Sequence, residues 1–235
     1  LDDLGPVDLW IFDLDGTLVD SSADIAAAAN QVLAGMGRPT LPDDEIRRHV
    51  GDGSVELMRR CLGDGSDPSE AALEFRRRYR EHPCGRSSLY PGVREFLAAS
   101  APTPIALVTN KPLPLAVAVL EGLGIAGRFD PVLGERSLPR NKPHPDAIRF
   151  ALEMHRVDPS RAVMVGDSVQ DLAAGRGAGV RTVAVRFGYG DRARLEDFAP
   201  DAAIDSIGEL LRGIPGVAIG GDGADRDSVG RDPAA

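Results

Sequence analysis

Apolar positions along this 235-residue chain change their period several times, and each change marks an element. Leu9-Trp10-Ile11-Phe12 is an unbroken apolar run, the pattern of a strand buried on both faces. Residues 8–13 are therefore predicted as the first strand. From residue 22 to 36 the spacing becomes three and four: Ile25, Ala28, Ala29, Val32, Leu33 and Met36 share one helical face. Ser21 or Ser22 is the expected N-cap and Gly35 or Gly37 the stop. Three more helices are expected, from Pro42 onward, over 54–62 and over 68–81. No strand is expected between residues 20 and 84.

From Ser87 strand and helix patterns alternate. Helices are predicted over 91–100, 112–123, 143–155 and 169–177, with a last one closing near Arg212. Strands are predicted over 105–108, 129–133, 162–165, 181–185 and 202–204. Such alternation implies a parallel sheet covered on both faces, an α/β, doubly wound fold. The helical block that follows the first strand, about sixty-five residues long, reads as an inserted cap. The expected organisation is a core of residues 1–19 and 87–212, a helical cap of 20–86, and a tail of 213–235. In that tail Gly, Asp and Ser displace apolar residues, so disorder is expected.

Composition narrows the function. With 43% hydrophobic residues the chain can bury a sizeable core. A net charge of -9 argues against a nucleic-acid partner, which needs a basic footprint. It leaves room for an anionic substrate, because one local cation can reverse the field in a cleft. No apolar run reaches transmembrane length, so no membrane partner is expected. Leu1-Asp2-Asp3-Leu4 is acidic and lacks the layout of a signal peptide, and the absence of an initial methionine leads to the expectation of a trimmed or incomplete start. Two cysteines give no disulfide framework, which points to the cytoplasm. Of the 27 basic residues only Lys111 and Lys142 are lysines, and each stands in an Asn-Lys-Pro triplet. Retention of lysine there is consistent with a need for a compact ammonium, for which arginine is no substitute.

The candidate chemistry sits at strand ends. The first strand delivers Asp13 and Asp15 to the sheet edge, where open α/β sheets bind ligands. Two close acids repel, so such a site calls for a cation, a proton or both. The plain alternative is an ordinary Asp-Gly turn. Thr109-Asn110 follows the strand of 105–108, and Asp167 follows that of 162–165, with Asp171 one helical turn further on. Lys142 precedes Pro143-His144-Pro145 at the opening of a helix. Taken singly these read as a helix cap, acids at a helix N-terminus and a solvated lysine.

Taken together and in this order, Asp13-Leu14-Asp15-Gly16-Thr17-Leu18-Val19, Thr109, Lys142-Pro143-His144-Pro145 and Gly166-Asp167-Ser168-Val169-Gln170-Asp171 resemble the four motifs of the haloacid dehalogenase-like phosphohydrolases. The resemblance implies a Rossmannoid core with an inserted helical cap, and two-step phosphoryl transfer. Asp13 is then the nucleophile that forms an aspartyl phosphate, and Asp15 the general acid and base. Gly16, Thr109, Asn110 and Lys142 hold the phosphoryl group. Mg²⁺ is held by Asp13, the main-chain carbonyl of Asp15, and Asp167, with Asp171 orienting Lys142 or a metal-bound water. The implied partner is a small-molecule phosphate, the implied assembly a monomer or homodimer. Asp15 separates this chain from the dehalogenases of the fold, whose halide leaves without a proton.

Val50-Gly51-Asp52-Gly53, Leu89-Tyr90-Pro91-Gly92-Val93, Val108-Thr109-Asn110-Lys111-Pro112 and Ser137-Leu138-Pro139 resemble the phosphoglycolate phosphatase branch, which acts on 2-phosphoglycolate. On that resemblance Arg47, Arg48, Gly51, Gly53 and Lys111 are candidates to read the substrate. Three alternatives stand beside it: a phosphatase for another small metabolite in a specialised biosynthetic pathway, a pyrophosphatase or β-phosphoglucomutase-like relative, and an inactive phosphate-binding regulatory module. The last predicts a missing nucleophile, acid or metal ligand, and none is missing.

Overall fold

The computed structural model describes residues 4–63 and 65–214. The tail expected over 213–235 falls almost wholly outside the described residues. The elements run β1 (Leu9–Phe12), β2 (Val19–Asp20), α1 (Ser22–Gly35), α2 (Asp43–Arg47), α3 (Ser54–Leu62), α4 (Ser69–Glu81), β3 (Ser88–Leu89) and α5 (Val93–Ala99). They continue with β4 (Ile105–Pro112), α6 (Leu113–Gly122), β5 (Val132–Glu135), α7 (Asp146–His155), β6 (Ala162–Gly166), α8 (Val169–Ala178), β7 (Arg181–Val185), α9 (Arg192–Asp197) and β8 (Ala202–Ile204). A 3₁₀ segment, Ile207–Gly213, closes the described chain.

Six strands form one parallel sheet in the order β5-β4-β1-β6-β7-β8. The order reverses direction at β1, the switch point where such sheets open a crevice. Alternate residues of each strand serve opposite faces. Trp10, Phe12, Ile105, Leu107, Val163 and Val165 pack with Phe96 of α5 and with Leu115 and Val119 of α6. Leu9, Ile11, Ala106, Val108 and Met164 pack with Ile148 and Ala151 of α7 and Ala174 of α8. Both faces of β1 are buried, which is why its sequence is apolar without alternation. Helices α1 to α4 pack mainly on one another, through Val32, Leu33, Ile46, Met58, Ala72 and Phe75, and sit over the carboxyl edge of the sheet as a cap. No helix among the described residues is long and apolar enough to cross a membrane.

Four local expectations needed correction. The antiparallel pair β2–β3, which joins the two chain segments entering and leaving the helical block, spans two residues per strand. Strands that short carry no readable period. Strand β5 begins at Val132 rather than 129, because Phe129 is a buried packing residue that follows a 3₁₀ turn at Ala126–Arg128. Helix α9 has one buried residue, Leu195, and so shows no apolar stripe; Asp191 caps it by accepting from the N–H groups of Ala193 and Arg194. The terminal helix is 3₁₀, fastened by a capping box between Ser206 and Glu209.

Phe96 is the centre of an aromatic cluster, edge-on to Trp10 at 5.2 Å and to Phe12 at 5.3 Å between ring centroids. It is fully buried beneath the strand that carries the candidate site. Phe96→Ala is expected to cost about 3–5 kcal/mol of stability, the range for emptying a buried phenylalanine site. A urea-denaturation midpoint unchanged from wild type would contradict this packing role.

Candidate active site

Phe12 is in register with Leu107 of β4 and with Val165 of β6; β1 and β6 end within a residue of this level, while β4 runs on through Thr109, Asn110 and Lys111 to Pro112. Asp13 leaves the sheet there, its N–H donating to the Val165 carbonyl at 3.0 Å. Gly16 turns the chain with φ +84°, and a side chain at that position would overlap the Asp167 carboxylate. Lys142 enters from the loop before α7. Its Nζ donates to Asp13 Oδ1 at 2.7 Å, Asp171 Oδ1 at 2.5 Å and the Val108 carbonyl at 2.6 Å. Three acceptors satisfy all three donors of the ammonium. Asp171 Oδ2 accepts from the Ser168 hydroxyl at 2.6 Å and N–H at 3.0 Å, the capping box of α8. Asp167 Oδ2 accepts from the N–H groups of Tyr189 at 2.6 Å and Gly190 at 3.3 Å.

Asp13, Asp167 and Asp171 are buried, and each can offer an oxygen to a common centre within 4.8 Å of the others. Burial pushes Asp13 up to about 6, with Lys142 pulling it down and Asp171 adding to the rise. Burial pushes Asp167 up to about 8, and the neighbouring charges of Asp171 and Asp13 add to it. Burial acts to lower Lys142, but Asp13 and Asp171 outweigh it and hold the ammonium above its ordinary range. Three carboxylates thus face one ammonium, an excess of negative charge that a cation relieves. Oxygen ligands of this kind fit a hard divalent cation.

Asp15 belongs to a second ion pair. Its Oδ1 accepts from the Ser21 hydroxyl at 2.5 Å, and Lys111 Nζ lies 3.0 and 3.1 Å from its two oxygens. Lys111 also donates to the Tyr79 hydroxyl of α4 at 3.0 Å and sits 4.2 Å from that ring's centroid. Burial works against the Lys111 charge; Asp15 and Tyr79 overcome it and hold its pKa above the ordinary range. Thr109 Oγ1 accepts from the Lys111 N–H at 3.2 Å. Asn110 Nδ2 donates to the carbonyls of Gly51 and Lys142, both at 3.0 Å, and ties the cap loop to the core. Thr17 Oγ1 and Asn110 Oδ1 are buried without a hydrogen-bond partner among the described residues. A cavity of about 50 Å³ lies between cap and sheet, bounded by Asp13, Asp15, Thr109, Lys111, Gly51 and Gly53. Ser54 and Asn110 add polar groups to it, and the rest of its wall is apolar, with Ile25, Val50, Leu57, Phe75 and Leu115. That volume holds a few waters.

The structure brings Asp13, Asp15, Gly16, Thr109, Asn110, Lys111, Lys142, Asp167 and Asp171 to one edge of the sheet, with Gly51 and Gly53 opposite. Arg47 is elsewhere: its guanidinium donates to the Gly188 carbonyl at 3.1 Å and lies 4.9 Å over the Tyr189 ring, and it does not line the cavity. Lys111 does line the cavity but is engaged by Asp15 and Tyr79. Ser21 makes no side-chain cap bond to α1, because its hydroxyl serves Asp15. Three residues that hold this arrangement escaped the sequence reading. Tyr79 lies on the apolar stripe of α4 with Phe75 and looks like core. Tyr189 and Gly190 act through main-chain N–H groups, which every residue type but proline carries. The one available signal was Gly188-Tyr189-Gly190, two glycines about an aromatic after the end of β7.

Known proteins resemble this chain over most of its length. The family model of haloacid dehalogenase-like hydrolases matches residues 10–185. A phosphoglycolate phosphatase from Chromobacterium violaceum is 38% identical over 208 residues, covering 85% of this chain and 92% of the relative. A haloacid dehalogenase-like family hydrolase from Streptococcus pneumoniae superposes with a TM-score of 0.79 at 30% identity, over 88% of this chain and 97% of that one. CbbY from Rhodobacter sphaeroides, solved in complex with phosphate, superposes with a TM-score of 0.76 at 27% identity, over 88% of this chain and 99% of that one.

The raised Asp167 has a signed consequence. Its folded-state pKa of about 8 lies above the ordinary 3.8, so the folded chain keeps a proton that the unfolded chain has released. Stability from this group is present at low pH and is lost as pH rises toward about 8. With divalent cations chelated, wild type is expected to lose stability relative to Asp167→Asn between pH 5 and pH 8. Denaturant melts at the two pH values check this; a constant difference would show that burial does not raise Asp167.

Proposed function

The chain belongs to the haloacid dehalogenase-like hydrolase family, and we propose that it is a Mg²⁺-dependent phosphatase whose substrate is 2-phosphoglycolate. The observation that carries the reading is the Asp13–Lys142 contact at the edge of the sheet, with Asp15 two residues further along. Lys142 binds one oxygen of Asp13, and the other carries no hydrogen bond among the described residues. That oxygen is the nucleophile. It bonds to phosphorus as the bond to the leaving oxygen breaks, and Asp15 gives that oxygen a proton. Asp15 then takes a proton from the water that attacks phosphorus, the bond to Asp13 breaks, and inorganic phosphate leaves. Gly16, Thr109 and Asn110 surround the phosphoryl position, with the Thr109 hydroxyl as donor to its oxygens, and Lys142 offsets their charge. Asp13, the Asp15 carbonyl and Asp167 would hold Mg²⁺, which when bound neutralises charge on the phosphoryl oxygens. Asp171 keeps the Lys142 ammonium in place.

The substrate reading rests on the relatives' activity and on the shape of the cavity. Its wall is mostly apolar, which suits a short leaving group, and Lys111 lines it with its ammonium held by Asp15 and Tyr79. The cavity lies between the block of residues 20–86 and the core of 1–19 and 87–212, so movement of that block as a cap would admit the substrate and then shield it from water. Both cysteines, Cys61 and Cys84, are free thiols, in keeping with a cytoplasmic setting.

Phosphate release over a panel of 2-phosphoglycolate, sugar phosphates, nucleotides and pyrophosphate tests the reading. Turnover is expected to require Mg²⁺ and to favour 2-phosphoglycolate strongly. Broad, slow turnover would keep the mechanism and discard the substrate. Asp13→Asn is expected to abolish turnover of every substrate; retained activity would remove Asp13 as nucleophile.

A further inference from the structure

Arg47 and the loop after β7 meet where no part of the proposed chemistry requires them. Arg47 ends α2, a helix of the cap. Its Nη2 donates to the Gly188 carbonyl at 3.1 Å, and its guanidinium lies 4.9 Å from the centroid of the Tyr189 ring. The same loop grips Asp167: the N–H groups of Tyr189 and Gly190 donate to Oδ2 at 2.6 and 3.3 Å. The fit is tight enough that a side chain at Gly188 would overlap Asp167. Asp167 Oδ1 carries no hydrogen bond among the described residues and is the oxygen left for a cation. The far end of Tyr189 is fixed as well. Its hydroxyl accepts from the Ser21 N–H at 2.7 Å and donates to Asp20 at 3.0 Å, at the junction of β2 and α1 where the chain enters the cap.

We propose that Arg47 and Tyr189 are positioning residues that couple closure of the cap to cation binding at Asp167. This rests on the Mg²⁺ reading above. Docking of Arg47 on the Gly188 carbonyl and the Tyr189 ring fixes the loop; the loop's two N–H groups fix Oδ2 and thereby the orientation of Oδ1. An opened cap withdraws Arg47 and releases the loop. Coupling of this kind is reciprocal, so Mg²⁺ on Asp167 favours the closed cap as much as the closed cap favours Mg²⁺. The arrangement gives the chain a means to bring cation site and cap to their working positions together.

Calorimetric titration of Mg²⁺ into the full chain, at fixed pH with saturating inorganic phosphate, tests the coupling without any reading of turnover. Arg47→Ala is expected to raise the Mg²⁺ Kd about tenfold, the lower end of what loss of a supporting contact costs a metal site. Tyr189→Ala is expected to do the same, and the double variant no more than either alone, because the two side chains act as one unit. Tyr189→Phe keeps the ring and the main chain and is expected to bind Mg²⁺ within about twofold of wild type. An unchanged Kd in Arg47→Ala overturns the proposal. So do additive losses in the double variant, and a loss in Tyr189→Phe as large as in Tyr189→Ala, which would place the cause in the hydroxyl's bonds to the cap junction. A wild-type chain that takes up no Mg²⁺ is a different result: it removes the cation reading itself.

Discussion

Three carboxylates held within 4.8 Å of one another in a buried site are the constraint on which the rest of this molecule depends. Burial and mutual repulsion both oppose their ionisation, and the raised values of Asp13 and Asp167 are the direct expression of that conflict. The fold concentrates the conflict at one place. Strands β1 and β6 are neighbours in register, and each ends in an acid, so Asp13 and Asp167 are forced together by the same pairing that builds the sheet. Lys142 is the protein's own partial remedy, and the main-chain N–H groups of Tyr189 and Gly190 are another. A cation completes the balance.

That constraint reaches outward into loops that otherwise look unrelated. Gly16 has no side chain because Asp167 occupies the space. Asp171 is shared between capping α8 through Ser168 and holding Lys142, so helix initiation and ammonium placement are one event. Asn110 reaches both the Lys142 carbonyl and the Gly51 carbonyl of the cap loop. Asp15 is held by Ser21 and Lys111, and Lys111 by Tyr79 of α4, so the cap also contacts the second acid. The charged centre therefore bears on the position of the cap through several separate lines of contact.

How much of this was legible in the sequence divides along a physical line. Residues 9–12, 105–108 and 162–165 are readable as strands because both their faces are buried and their runs are apolar, and 181–185 because Val183-Ala184-Val185 continues the pattern after Arg181 and Thr182. Asp13, Asp15, Lys142, Asp167 and Asp171 were readable because a charged side chain at the end of such a run is conspicuous. What could not be read was contact between distant parts made through groups that every residue carries. The donors to Asp167 are main-chain N–H groups 22 and 23 positions away. Ser21 looked like a helix cap because its position allows that role as readily as the one it has. Arg47 was expected at the substrate and instead lies on Tyr189, because the sequence of α2 fixes which face of the helix carries it but not what that face meets.

The two lysines of an otherwise arginine-based chain follow from the same geometry. Lys142 meets Asp13, Asp171 and the Val108 carbonyl within 2.7 Å, three acceptors spread around one nitrogen. Lys111 meets both oxygens of Asp15 and the Tyr79 hydroxyl within 3.1 Å, while the ring lies to one side. A tetrahedral ammonium distributes its three donors in this way. A guanidinium is planar and larger, and its donors lie in one plane, so it matches a single carboxylate edge-on and not an enclosing cage. Two exposed arginines show the edge-on match: Arg140 on Asp146 and Arg77 on Glu74 each use two nitrogens on the two oxygens of one carboxylate. Where the chain must place charge inside the protein among several acceptors it keeps lysine, and the retention of lysine at these two positions alone marks the interior of the site.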